Sequence, residues 1–435
     1  MTATLTTPAD VSTPEAGPSD RLWWITLAVI ALAGLVIRVA WVVSTRHLTL
    51  GGDAYFYHYQ ANLLASGHGF VEPAFYQHGQ VVASAYHPPL WTVYLASFST
   101  IGVRSWLGHR LAGCLLGLVT VGAVGLLARR AGGRRAGLVA AGLAALYPLV
   151  WVNDGVGMSE ALVLPLCALA LLLALHLVDR PSVGRAAALG VVCGLAALAR
   201  SEQSLLFVFL AVPAALVAAR AQSWRPRLAL VGACALAAGL TVAPWIGRNL
   251  VTFRQPVTLS TNLGPTLAVS NCAPTFDRKG QFFAFWYLGC VQGPQPAGDE
   301  SQQDTAWRHR ALQFISHHTG ELPIVVLARE GRLWNLFRPL EGTHLDGLEG
   351  RPLTLTRAGL VIFYLLLPLA IAGGWVLHRR HARVWPFLVP PLIVSLTVAL
   401  TFADTRYRAP AEVSLVVLAA VAIEALFPSP GRARG

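Results

Sequence analysis

The sequence predicts an all-helical integral membrane protein, a polytopic bundle of about ten spans with two long extracytoplasmic loop regions. Three observations carry that prediction. Of 435 residues, 55% are hydrophobic and only 12% charged, against roughly 25% charge in soluble domains. About ten stretches approach the ~20 apolar residues that a helix needs to cross a bilayer. Arginine clusters recur between those stretches, so the net charge of +12 has the pattern of membrane loops and not of a groove for nucleic acid. The expected solvent is the lipid bilayer, and no nucleic-acid partner is expected.

Residues 1–20, MTATLTTPADVSTPEAGPSD, are polar and lack a basic n-region, which predicts a disordered cytoplasmic N-terminus. The apolar run after them holds Arg38 and has no small-residue cleavage site, so it is expected to stay as the first span, 22–44. Further spans are expected at 105–128, 136–152, 159–178, 186–199, 204–220, 228–246, 357–377, 385–402 and 409–427, the fifth being short. Residues 21–246 then form a transmembrane region interrupted by a first outer loop, 45–104. A second extracytoplasmic region covers 247–356, the last spans cover 357–427, and 428–435 is a cytoplasmic tail. With the N-terminus inside, Arg129/Arg130/Arg134/Arg135, Arg180/Arg185, Arg220/Arg225/Arg227, Arg379/Arg380/Arg383 and Arg432/Arg434 all fall on the cytoplasmic side, as the positive-inside tendency requires. The expectation is a multi-pass protein of the cytoplasmic membrane whose outer loops carry the function. GCLLG (113–117) and GVVCG (190–194) are small-xxx-small patterns that let helices approach closely.

The sequence contains no GxxxxGK[ST], HExxH, GxSxG or strand-to-helix GxGxxG, which argues against nucleotide hydrolysis, zinc proteolysis and serine hydrolysis. Polar residues stand instead at the outer ends of spans: Asp53; Asn153, Asp154, Ser159 and Glu160; Arg200 and Glu202; Arg248 and Asn249; Asp404, Arg406, Tyr407 and Arg408. They are expected to converge on one outer-leaflet site. Asp53, after two glycines, fits a helix N-cap as well as a catalytic base. Arg248, Arg406 and Arg408 fit headgroup anchors, but separated arginines on the outer side, against the positive-inside tendency, favour a bound phosphate. Tyr55, Tyr57 and Tyr59 offer amphipathic rings to sugar faces and to the interface. His68 and His87 could be ligands or proton carriers, against the plainer role of loop histidines that only hydrogen-bond.

In AYHPPLWTVYLASF, Pro88 and Pro89 open a helix on which Trp91, Tyr94 and Phe98 recur at three- and four-residue spacing, predicting an amphipathic helix at the membrane surface. EGTHLDGLEG (341–350) places Glu341, His344 and Asp346 where they could hold a divalent cation, against the plainer reading of a solvated loop. No metal ligands and no cofactor are otherwise indicated. Cys114, Cys167, Cys193 and Cys234 lie in apolar spans, whereas Cys272 and Cys290 lie in the outer loop, where oxidation is permitted, and are expected to form a disulfide.

The ordered pieces GDAYFYHYQANLLASGHGF, HPPLW, MSEALVLPL, GLAALARSE, APWIGRNLVTFRQPVTLSTNLGPTL and DTRYRAP, after an arginine in the first span, resemble bacterial membrane glycosyltransferases of the glycosyltransferase C superfamily. The similarity is to the protein O-mannosyltransferase and aminoarabinose transferase type, and it covers nearly all of residues 21–427. It implies that Asp53 is the acidic residue used in sugar transfer, placed to act as general base, and that the donor sugar is carried on a polyprenyl phosphate. On that reading Arg200, Arg248, Arg406 and Arg408 bind the phosphate. Tyr55, Tyr57, His68, His87, Asp154, Glu160 and Tyr407 line the substrate, and the acceptor is an envelope glycan, lipid or protein. The chain departs from the protein mannosyltransferases in having Gly52 then a single Asp53 in place of an acidic pair. Two other readings use the same rim residues without covalent chemistry: a transporter or flippase of lipid-linked sugars, and a non-catalytic subunit of an envelope-assembly complex.

Overall fold

The computed structural model describes residues 18–48, 51–218, 220 and 223–427. The N-terminal segment up to residue 17 and the tail 428–435, with Arg432 and Arg434, lie outside the described residues. Among the described residues the chain is helical throughout, with no strand beyond one isolated Val71–Ala83 bridge.

Among the described residues seven helices are long and apolar enough to cross a membrane: Asp20–Ser44, Trp106–Gly132, Glu160–Asp179, Ser201–Ala218, Trp224–Thr252, Leu353–Arg379 and Thr405–Leu426. Arg134–Leu146 and Pro148–Gly155 pass the same test only together and meet at 51°, the geometry of a broken span or of a re-entrant loop. The bend has a local cause: Pro148 cannot supply an N–H to the preceding turn and pushes Tyr147 to an extended backbone (φ −72°, ψ 114°). Val183–Ala199 and Trp385–Leu400 are apolar but shorter, at 17 and 16 residues. Every expected span therefore falls on apolar helix, and seven of these helices, or eight with the bent pair counted as one, are long and apolar enough to be clear crossings.

Two helices form the centre of the bundle. The apolar windows of Thr405–Leu426 and Glu160–Asp179 are 83% and 78% buried, whereas that of Trp224–Thr252 is 17% buried and marks the periphery. Alanine, valine and leucine fill the contacts between them, with Leu127, Leu164, Leu171, Val417 and Ala420 fully enclosed. The small-residue patterns are sites of close approach. A Cβ on Gly113 would lie 2.1 Å from the Asp154 carbonyl oxygen, and one on Gly190 would lie 2.2 Å from the Cys234 carbonyl oxygen. Gly190→Val is therefore expected to drive Val183–Ala199 off Trp224–Thr252, at a cost of roughly 1–3 kcal/mol or more. Gly142→Val, where nothing lies within 4 Å, is the control. Thermal unfolding in detergent checks it: the midpoint should fall for the first variant and hold for the second.

The region expected to form the first outer loop, 45–104, folds as helices Gly52–Ala65, Pro73–Gln77 and Leu90–Thr100. The last of these begins directly after Pro88-Pro89, and its Trp91, Thr92, Leu95 and Ser99 are buried against protein, so it is a packed element and not only a surface one. The region expected to form the second outer loop starts after Thr252, six residues later than expected, because Trp224–Thr252 runs to 29 residues. It holds Leu263–Ser270, Ala273–Phe276, Glu300–His317, Leu322–Leu333 and Pro339–Leu345. Cys272 and Cys290 are disulfide-bonded there, with Cα atoms 6.3 Å apart.

Candidate active site

Asp53 enters the site because of two glycines. Gly51 is the N-cap of Gly52–Ala65 and makes no side-chain cap, and Gly52 has φ +58°, a left-handed conformation that suits glycine. The chain thus turns sharply, and Asp53, in the first helical turn, points its carboxylate away from the helix end. It does not cap. Its Oδ2 accepts from Arg406 Nη1 at 2.7 Å, and its Oδ1 lies 3.3 Å from His87 Nε2. Arg406 comes from a 3₁₀ turn, Thr405–Arg408, that Asp404 caps by accepting from the Arg406 N–H at 2.9 Å.

Behind Arg406 stands a second rank of buried charge. Its Nε lies 3.3 Å from Glu349 Oε2 and 3.9 Å from Glu160 Oε1. Glu160 is held in turn by Arg200 at 2.6 Å, and Arg200 also pairs with Glu202. Arg351 sits among Asp404 (3.4 Å), Glu349 (3.7 Å) and Asp346 (3.8 Å). The Arg200 guanidinium lies over the Tyr407 ring, 4.7 Å from its centroid. Buried carboxylates and guanidiniums alternate, so each charge removed from water has an opposite neighbour.

This network forms one wall of a cavity of about 350 Å³. Asp53, Tyr57, Tyr86 and His87 line it from the first outer loop, Arg200 and Glu202 from the end of Val183–Ala199, and Arg406 and Tyr407 from the 3₁₀ turn. Ser260, Asn262 and Thr266 add hydroxyl and amide groups from the second outer region. Leu205, Leu263, Leu396 and Leu400 make the remaining side apolar, and Leu400 is 70% exposed. The cavity therefore joins a charged floor, a polar wall suited to hydroxyl-rich ligands and an apolar flank.

Of the residues expected at the site, Asp53, Tyr57, His87, Arg200, Glu202, Arg406 and Tyr407 meet in the cavity. Glu160 stands behind it, supporting both arginines. The others lie elsewhere. Arg408, two residues from Arg406, is turned into the bundle, where Nε pairs with Glu412 at 2.6 Å, Nη1 donates to the Leu333 carbonyl and the guanidinium covers Phe363 at 3.8 Å. Arg248 donates to the carbonyls of Ser84 and Phe70, both at 3.0 Å, and so ties the first outer loop to Trp224–Thr252. Asp154 forms a buried pair with Arg38 at 2.6 Å. Tyr55 donates to Gln77, and His68 pairs with the Tyr76 hydroxyl, both at the exposed edge of the loop.

The cation reading of 341–350 also disperses. Glu341 pairs with Arg332 and Arg338, His344 with Arg357, and Asp346 accepts from Thr405 at 2.7 Å. Among the described residues no group of three or more His, Cys, Asp or Glu is placed to hold a metal ion. Nor is the segment a solvated loop, since Asp346 is buried and Glu349 reaches Arg406. Sequence reasoning missed Glu349, Arg351 and Tyr86. Tyr86 was adjacent to a noted histidine, and the acid–base alternation of Asp346, Glu349 and Arg351 beside Leu345 and Leu348 was the available signal.

Burial alone would raise the Asp53 carboxyl, but Arg406 first and then His87 outweigh it and hold the group well below the usual carboxylate range. Glu349 moves the other way: burial pushes it well above the usual range in spite of Arg406. A group held low stays ionised until pH falls through its lowered value. Removing Arg406 takes away the strongest of the groups that hold the carboxyl low, so any acidic limb set by Asp53 moves to higher pH. Profiles of kcat/KM against pH, which report the free enzyme where Arg406 pairs with Asp53, should show that shift for Arg406→Gln, and an unmoved limb would separate the limb from Asp53.

Residues 86–246 match the family model of dolichyl-phosphate-mannose-protein mannosyltransferases. That stretch holds Tyr86, His87, Glu160, Arg200 and Glu202. No curated protein sequence matches the chain. Among solved structures, 95% of the chain superposes on the apo oligosaccharyltransferase of Archaeoglobus fulgidus with a TM-score of 0.56 at 12% identity, covering 51% of that protein. The same archaeal enzyme, AglB, in complex with an inhibitory peptide and a dolichol-phosphate, matches 95% of this chain and 51% of its own length, with a TM-score of 0.51 at 15% identity. The fold is of the glycosyltransferase C type. The chain spans about half the length of those archaeal enzymes. ArnT from Cupriavidus metallidurans, bound to undecaprenyl phosphate, matches at a TM-score of 0.43 and 16% identity over 93% of this chain and 77% of ArnT. Within this glycosyltransferase C fold, the 86–246 match carries one side of the cavity, while Asp53 and Arg406 come from outside it.

Proposed function

We propose that the protein is an inverting glycosyltransferase that moves a sugar from a polyprenyl-phosphate-linked donor to an envelope glycan, lipid or protein acceptor at the outer face of the cytoplasmic membrane. The observation that supports this best is the placement of Asp53, Arg406 and Arg200 in one cavity with an apolar flank. A lipid-linked donor needs guanidinium for its phosphate, polar groups for its sugar and a dry side for its isoprenoid tail. The Leu205, Leu396 and Leu400 side meets the last need.

In this reading the donor phosphate binds between Arg406 and Arg200 and draws Arg406 from Asp53. The pair seen without substrate makes Asp53 a weak base, so competition for Arg406 raises its basicity only when donor is present. Asp53 then takes the proton of an acceptor hydroxyl, the acceptor oxygen bonds to the anomeric carbon from the face opposite the phosphate, and the bond from carbon to phosphate oxygen breaks. The departing polyprenyl phosphate carries the electron pair and is neutralised by the two arginines. One base suffices for such an in-line displacement, which inverts the anomeric centre. His87 beside Asp53 orients the carboxylate.

Radiolabelled polyprenyl-phosphate sugars offered to membranes with and without the protein test the proposal. A protein-dependent labelled product with a new glycosidic bond supports it. Movement of labelled donor across the membrane without product would indicate a flippase, and binding without either would indicate a non-catalytic subunit.

A further inference from the structure

At the end of the bundle opposite Asp53 two adjoining cavities share Arg130. One, of about 580 Å³, is lined by Arg130, Asp179, Arg180 and Arg185, with His176. The other, of about 400 Å³, adds Arg220 and Arg383 over a floor of Leu175, Leu377 and Phe387. Asp179 is the one carboxylate lining either cavity, and it is already engaged by Arg130 and by Arg383, the latter at 2.6 Å. Arg185 donates to the Arg180 carbonyl at 2.8 Å and to Ser182, which fixes its position without neutralising it.

Five guanidiniums thus face two concave spaces with one carboxylate between them, and clefts lined by one sign of charge concentrate counter-ions. The level in the membrane is marked independently. Trp24, Trp224 and Trp375 at this end are 48%, 65% and 60% exposed, and Arg129, Arg225 and Arg379 lie over their respective rings. Exposed tryptophans with flanking arginine are the signature of the headgroup layer. The apolar floor beneath Arg383 gives the start of an acyl chain somewhere to lie.

We propose that this pair of cavities binds the headgroup of an anionic phospholipid carrying two phosphodiester groups, one phosphate in each cavity with Arg130 between them. Basic pockets between membrane helices are suited to such headgroups. The site is remote from the Asp53 cavity and does not depend on the proposed transfer reaction.

The test is native mass spectrometry of the full chain released from bilayers of stated composition. With cardiolipin present at a few per cent in phosphatidylcholine, the protein should retain one cardiolipin, and Arg180→Gln/Arg185→Gln should reduce the retained fraction at least five-fold. Arg220→Gln, an exposed position outside the Asp179 pairs, should reduce it in the same direction and covers the case in which the double variant does not fold. Displacement of bound cardiolipin by millimolar inorganic pyrophosphate would keep the two-phosphate site but assign it to a soluble anion. Equal retention of phosphatidylglycerol would overturn the two-phosphate reading. Retention no better than that of phosphatidylcholine, or unchanged in the variants, would overturn the site.

Discussion

Asp53→Asn is expected to lower sugar transfer on the order of 100-fold or more, the usual contribution of a general base, while the protein accumulates in the membrane at normal levels. The amide is nearly isosteric and can still accept from Arg406 through its oxygen, so the local geometry survives. What it loses is the ability to take a proton. Asp53 does not cap its helix, and Glu349 and Glu160 stay beside Arg406 when the carboxylate is gone, so neither helix fraying nor an unpaired guanidinium complicates the result. Donor turnover with purified protein, alongside thermal unfolding, checks both halves. Activity within a few-fold of the parent would remove Asp53 from the chemistry and leave it as a partner for Arg406.

Two neighbouring arginines should then behave differently. Arg406→Ala removes a charge-assisted contact to phosphate, worth roughly 1.5–3 kcal/mol, and should raise the KM for donor about 10- to 150-fold with the acceptor dependence unchanged. Folding should survive, because Arg200 still pairs with Glu160 and Arg351 with Glu349. Arg408→Ala should leave kinetics per folded molecule alone but remove folded molecules. It strands Glu412, 2% exposed, and breaking such a buried pair costs roughly 3–5 kcal/mol. Detergent-extracted yield and kinetics measured together separate the two, and similar outcomes for both variants would argue against the division.

That division shows how far the site was legible in the sequence. Hydropathy marked the helical segments because lipid demands long apolar runs, and Asp53 and Arg406 stood out as charges at the ends of such runs. Arg408 was indistinguishable from Arg406 as a charge near a span end. In a 3₁₀ turn of three residues per turn, positions two apart face different directions, so one arginine meets the cavity and the other the bundle. Glu412, four residues after Arg408 at helical spacing, was the readable hint. Arg248 and Asp154 misled for a related reason, since their partners, the carbonyls of Ser84 and Phe70 and the guanidinium of Arg38, come from more than 100 positions away. The bend at Tyr147 was locally encoded by Pro148, whereas two apolar helices fell short of a clear crossing because helix ends are set by neighbours as well as by composition.

The pair between Asp53 and Arg406 joins residues 353 positions apart, and that separation becomes a delay while the chain is being made. At about 5–20 residues per second, Asp53 would emerge roughly 18–70 s before its guanidinium is synthesised. Glu160 is almost fully enclosed and could not be left unpaired for long, but its first partner, Arg200, follows only 40 positions later, within roughly 2–8 s at the same speed. The deeply enclosed acid is thus partnered early, and the acid that waits is the one at the rim, where water can solvate it. A nascent chain stalled before Thr405–Leu426 would carry nearly every residue of the cavity and yet have no Arg406 to hold Asp53, so competence waits for that one helix.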